Sequence, residues 1–137
     1  MPTPSAATAP AWSPRDDVIA YIEPRGGAIG SFVKFVTSNG QVLQNRGAVL
    51  EKQSISNGFV SWSPDGRRLA AVTLPGGSSG SIWIVEPEAD TPFRKLLDLT
   101  GGAFLRGVTW SRDGSSLIVG RIQWAGDIFF AERSVRP

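Results

Sequence analysis

The sequence predicts an all-β chain of about three four-stranded antiparallel units in tandem, and three observations carry that expectation. The first is a stretch that recurs. Trp62-Ser63-Pro64-Asp65-Gly66-Arg67-Arg68-Leu69 is preceded by Trp12-Ser13-Pro14-Arg15-Asp16-Asp17-Val18-Ile19 and followed by Trp110-Ser111-Arg112-Asp113-Gly114-Ser115-Ser116-Leu117, so the tryptophans stand 50 and then 48 residues apart. A fixed period of this size marks a repeat architecture in which each unit is one supersecondary module. The second is punctuation: 16 Gly and 10 Pro in 137 residues separate short apolar runs, the pattern of many short strands joined by tight turns. The third is that runs such as Val18-Ile19-Ala20-Tyr21-Ile22 and Ile82-Trp83-Ile84-Val85 do not alternate. A strand apolar on both faces is covered on both faces.

Residues 1–10, rich in Pro, Ala and Thr, read as a linker or frayed N-terminus, with a closing strand as the alternative. Unit one spans 11–58. Its strand A lies around Ala11 to Ser13, B from Val18 to Ile22, C from Phe32 to Val36, and D within Gln41 to Leu50 after an Asn39-Gly40 hairpin signal. Unit two spans 59–107, with A at Phe59 to Trp62, B at Leu69 to Leu74, C at Ile82 to Val85 and D at Phe93 to Leu99. Unit three spans 108–137 and is incomplete, with A at Val108 to Trp110, B at Leu117 to Ile122 and C at Ile128 to Ala131.

The A–B turn has a mechanism. Ser63 opens a type I turn, Pro64 presets φ at the second position, Asp65 follows, and Gly66 takes the positive φ of a bulge. Pro14 serves likewise in the first copy, where Asp16 stands in the glycine's place; Asp113 and Gly114 serve in the third, where Arg112 replaces proline. Trp12, Trp62 and Trp110 tempt a sugar-stacking reading, but a residue needed once per unit is expected to be packing.

Composition narrows the function. With no cysteine and no histidine, disulfides, thiolate metal sites and Ser-His-Asp or Cys-His nucleophiles are out of reach. No metal or cofactor is expected: Glu86-Pro87-Glu88-Ala89-Asp90 alternates three carboxylates, but lacks the Gly and later Glu of a helix-loop-helix calcium loop. The net charge of +2 comes from 11 scattered Arg and 3 Lys with no run beyond two, which argues against a nucleic-acid footprint. No stretch is long and apolar enough for a membrane span, and the N-terminus has neither the basic start nor the apolar core of a signal peptide.

The W-S-P-D-G turn, a short apolar strand, a Gly-rich loop, an I-W-I-V strand and an outer strand ending Leu97-Asp98-Leu99-Thr100 together resemble the WD-like repeats of the TolB-type β-propeller. The resemblance covers residues 10 to about 132. It implies a β-propeller segment and suggests a bacterial periplasmic or cell-envelope setting. It leaves function between two readings: a non-enzymatic binding or scaffold module for protein or peptide partners, or the accessory propeller of a prolyl-oligopeptidase-like hydrolase. Propellers close with four to eight blades, so an arc of nearly three leaves apolar end faces to be covered. Two chains closing one ring, with residues 3 to 9 supplying a missing outer strand, is one expectation. A segment of a longer propeller is the favoured one, since the last unit stops short.

In such a blade the A–B and C–D turns emerge on one face of the ring and the B–C loops and D–A connections on the other. Docking is expected on the second face, at Arg25, Lys52, Gln53, Phe104, Arg106 and Trp124, because Trp and Arg dominate interface hot spots. Core capping by the aromatics and plain solubility for the cations are the competing readings.

Overall fold

The computed structural model describes residues 8–24, 31–43, 48–51, 55–75, 80–89, 93–99, 103–123 and 128–134. Every regular element among them is a strand. In chain order these are β1 (Thr8–Trp12), β2 (Ile19–Pro24), β3 (Ser31–Val36), β4 (Ala48–Glu51), β5 (Ile55–Trp62), β6 (Leu69–Pro75), β7 (Gly80–Val85), β8 (Phe93–Leu99), β9 (Ala103–Trp110), β10 (Ser116–Gln123) and β11 (Ile128–Ser134). They form three antiparallel sheets in the orders β1-β2-β3-β4, β5-β6-β7-β8 and β9-β10-β11. Each is an up-and-down blade, the repeat unit of a β-propeller.

The A strands begin earlier than their composition suggests. Thr8 pairs with Ile22 and Ile55 with Pro75, so residues 8–10 of the expected linker belong to β1. Each such extension crosses a register irregularity, between Thr8 and Ala11 and between Ile55 and Asn57. Residues 8 and 9 are therefore engaged in their own blade and are not spare for another sheet. The Asn39-Gly40 turn forms as expected, with Gly40 at φ 86° and its N–H donating to Thr37 O at 2.9 Å. The outer strand then touches the sheet at a Val36–Val42 bridge before β4.

The middle blade shows why its strands are apolar throughout. Leu69 and Ala71 of β6 with Trp83 and Val85 of β7 pack toward blade one, against Ala20, Ile22, Val33 and Phe35. The intervening Ala70, Val72, Ile82 and Ile84 pack the other way, with Trp110, Leu117 and Val119 of blade three. The period of two along a strand thus feeds two separate cores, and all six residues of β7 are buried.

Successive blades are joined at the repeated stretch. Trp62 Nε1 donates to Ala11 O at 3.0 Å, and Trp110 Nε1 donates to Ser61 O at 2.9 Å. In both cases the acceptor is the residue just before the tryptophan of the preceding blade. Trp62 also lies 5.8 Å, centroid to centroid, from Phe35. At the second joint the Arg68 guanidinium sits 4.7 Å above the Trp110 ring and donates to Gly114 O at 2.9 Å. Trp12, the equivalent residue of blade one, has no described blade before it and is 59% exposed. Among the described residues, Trp62 and Trp110 thus each bond to the blade before them.

The turns between A and B strands follow the expected chemistry in blades two and three. Gly66 and Gly114 have φ of 67° and 70°, and their N–H groups donate to Ser63 O and Ser111 O. The Ser63 and Ser111 hydroxyls donate to Asp65 and Asp113, and accept from the N–H groups of Arg68 and Ser116. Blade one lacks the aspartate at the third position, and its Ser13 hydroxyl instead accepts from the N–H groups of Arg15 and Asp16.

Donors from Ser111 and Ser115 hold the Asp113 carboxyl at about 2, below its ordinary 3.8. A carboxylate depressed on folding contributes stability that is complete above its unfolded value and lost as pH falls through the folded one. The Asp113 contribution is therefore expected to fade between about pH 4 and pH 2. A carbon-detected carboxyl titration by NMR checks this: Asp113 should titrate near 2 in the wild type and move upward in Ser111→Ala. Titration near 3.8 in both proteins would contradict the turn geometry.

Candidate functional site

Of the residues that the sequence singles out for docking, Arg25, Lys52, Gln53 and Trp124 lie outside the described residues. Phe104 and Arg106, expected on a connection between blades, are strand residues of β9 instead. Phe104 pairs with Ile122, and Arg106 falls at the register irregularity between the Leu105–Arg121 and Gly107–Gly120 pairs. The connection into blade three is shorter than 100–107 because β9 runs back to Ala103, pairing it with Gln123.

A candidate surface lies where the A–B and C–D turns meet. A concavity of about 690 Å³ is lined by Arg15, Asp65, Arg67, Arg68, Glu86, Glu88, Ala89 and Arg94. Its floor is built from three loops. Arg15 Nη2 reaches Glu88 Oε1 at 3.3 Å, tying the first blade's turn to the C–D turn of the second, which Ala89 N–H closes onto Glu86 O at 3.0 Å. Asp65 is held by the Ser63 hydroxyl and by the N–H of Arg67, which keep its carboxyl below the usual carboxylate range.

These bonds sort the four cations. Arg15 is paired to Asp16 and Glu88, and Arg68 is committed to Trp110 and Gly114. Arg67 and Arg94 are exposed and make no side-chain hydrogen bond or ion pair among the described residues. Arg94 is brought there by the β7–β8 ladder, where it stands opposite Ile84; Arg67 follows the Gly66 turn. Among the described residues the surface thus offers two exposed guanidinium groups without a side-chain hydrogen bond or ion pair. The sequence carried a signal for them in its only two dibasic pairs, Arg67-Arg68 and Arg94-Lys95, which the scatter of charge along the chain obscured.

A second concavity, of about 370 Å³, lies along the inner strands between Trp12, Pro14, Trp62, Pro64, Trp110 and Arg112. It follows the line of the indole–carbonyl bonds that join the blades. Among the described residues no group of three or more acids gathers as a metal site, and no helix is long and apolar enough to cross a membrane.

Neither a protein-family model nor a curated protein matches the chain. Solved structures do. A prolyl endopeptidase structure superposes with a TM-score of 0.67 at 15% identity, covering 94% of this chain and 20% of that one. A nidogen–laminin complex gives 0.58 at 13% identity, over 94% and 49%. A mitotic checkpoint complex gives 0.57 at 18% identity, over 91% and 35%. All three matches are to β-propeller proteins, and this chain spans less than half the length of each. At these identities the likeness establishes fold, and the chain is an all-β propeller segment of three blades.

Proposed function

We propose that the chain is a non-enzymatic binding module that presents the turn face of a rigid blade stack to a protein or peptide partner. The observation that carries this reading is the pair of exposed arginines, Arg67 and Arg94, at the rim of the turn-face concavity, neither with a side-chain hydrogen bond or ion pair among the described residues. Two guanidinium groups at such a rim suit carboxylates, since each offers a fork of donors matched to that geometry. The partner is therefore an acidic segment. A charged, open depression is a poor home for an apolar small molecule, whose pockets are mostly lined with hydrophobic side chains. The absence of histidine and cysteine from the sequence supports a binding role over nucleophilic chemistry.

A labelled peptide of alternating Glu and Gly, with a Lys-Gly counterpart as control, tests this by fluorescence anisotropy. The acidic peptide should bind and the basic one should not. The double substitution Arg67→Glu, Arg94→Glu should weaken binding by about tenfold or more, the equivalent of about 1.4 kcal/mol. Binding that ignores the double substitution would refute the site.

The likeness to a prolyl endopeptidase favours a second reading, in which the blades are the accessory part of a hydrolase and position substrate for chemistry elsewhere. A peptidase domain encoded in the same polypeptide would decide for it.

A further inference from the structure

The chain writes Ser-Asn-Gly twice, at Ser38-Asn39-Gly40 and at Ser56-Asn57-Gly58, and the fold puts the two copies in different settings. An asparagine before glycine closes readily onto the next backbone nitrogen, because glycine has no Cβ to crowd that approach. The second copy is held in extended backbone within β5, where Asn57 pairs with Leu74 and Gly58 with Thr73. The first forms an exposed turn after β3.

That turn is closed by bonds among five consecutive residues. Gly40 N–H donates to Thr37 O at 2.9 Å, and Thr37 N–H to Gln41 O at 3.0 Å. Asn39 Oδ1 accepts from Gln41 N–H at 3.2 Å and from the Thr37 hydroxyl. The bond from Gln41 makes an Asx turn, and it fixes which end of the carboxamide is oxygen, since a backbone N–H requires an acceptor. Asn39 Cγ and Gly40 N are both members of the ring that this bond closes, so the carboxamide is folded back over the Gly40 peptide. The donors on Oδ1 draw charge from Cγ and favour addition of a nucleophile there. A Cβ added at Gly40 would meet nothing within 4 Å, so no other described part of the chain covers the approach.

We propose that Asn39 is a site of spontaneous modification, at which the asparagine closes to a succinimide and opens to aspartate and isoaspartate. The Gly40 nitrogen gives its proton to water and attacks Asn39 Cγ. The new bond closes a five-membered imide, the Cγ–Nδ2 bond breaks, and Nδ2 leaves as ammonia with a proton taken from water. A water molecule then opens the imide. Addition at Cγ restores the ordinary main chain with aspartate at position 39, and addition at the main-chain carbonyl carbon routes the chain through Cβ and Cγ as isoaspartate. Either product adds a carboxylate next to Ser38, whose hydroxyl ties this turn to Asp17 Oδ2 at 2.7 Å. Isoaspartate also inserts a main-chain atom between Thr37 and Gln41, which takes the turn's bonds out of register. The inference stands apart from the acidic-peptide reading, because neither Arg67 nor Arg94 belongs to this turn.

The second Ser-Asn-Gly serves as an internal reference. The folded chain, and the same chain unfolded in guanidinium chloride, are incubated side by side at mildly alkaline pH and then digested. Mass spectrometry follows the exchange of ammonia for water at each asparagine, and enzymatic methylation of the isoaspartyl carboxylate identifies the isomer. Unfolded, the two asparagines should convert at rates within about twofold of each other, since local sequence alone then acts. Folded, Asn57 should slow by about tenfold or more because its strand must first open, while Asn39 should keep at least about a third of its unfolded rate. Asn39→Gln should remove the product at position 39 and leave the Asn57 rate unchanged. A folded rate at Asn39 as low as that at Asn57, or product at Asn39 without isoaspartate, would overturn the proposal.

Discussion

Trp110→Ala is expected to lower folding stability by about 3–5 kcal/mol, the range found for removing a large buried aromatic side chain. The residue is only 7% exposed and belongs to the core between blades two and three. Its loss also strands the Ser61 carbonyl and unseats Arg68, which spans the joint from the ring to Gly114. Denaturant unfolding followed by circular dichroism measures the effect as a fall in midpoint. Trp110→Phe keeps most of the ring but not the N–H, and should cost about 1–2 kcal/mol. Trp12→Ala provides the contrast within one protein. Compared as isolated monomers, it should cost less than about 1 kcal/mol, because most of that side chain already faces solvent. Equal losses at positions 12 and 110 would mean that the repeated tryptophan works within its blade and not between blades.

Gly66→Ala is expected to cost roughly 2–4 kcal/mol, combining a left-handed backbone penalty with overpacking. A Cβ at Gly66 would lie 2.6 Å from Arg15 Cβ and 3.3 Å from the Ser13 hydroxyl. The contact with Arg15 is to the root of the side chain, which cannot swing away without moving backbone. Gly114 has nearly the same φ, but its nearest neighbours, Pro64 Cδ and Arg68 Nη2, are at 3.5 and 3.7 Å. Gly114→Ala should therefore show the backbone term alone, about 1–2 kcal/mol. Gly40, at φ 86° with nothing within 4 Å, should match Gly114 and not Gly66. Thermal or denaturant unfolding of the three alanine variants separates the two terms. If Gly66→Ala falls in line with the others, the first two turns are not in contact.

The turns and the B and C strands were legible in the sequence because their determinants are local. Ser63, Pro64, Asp65 and Gly66 each act through their own backbone, and Ile82 to Val85 carry their two-sided burial in their composition. The beginnings of the A strands were not legible. Thr8-Ala9-Pro10 and Ile55-Ser56-Asn57-Gly58 contain no apolar run, and they become strand through pairing with the far ends of β2 and β6 across irregular register. For the same reason Phe104 and Arg106 moved from an expected connection into β9. The turn-face site was hidden more deeply. Arg67 and Arg94 are 27 residues apart in sequence, and meet only because the β7–β8 register and the Gly66 turn bring both to one rim. Trp62 and Trp110 share one sequence context, but the partner of each indole belongs to the blade before it and so is written some 50 residues away.

The indole that fastens one blade to the next takes hold of a main-chain oxygen, and the residues supplying that oxygen are Ala11 and Ser61. The receiving half of the fastening is thus written in no particular side chain. For this bond alone, a blade set down after another must bring its own tryptophan and asks for no particular side chain at its neighbour's acceptor position.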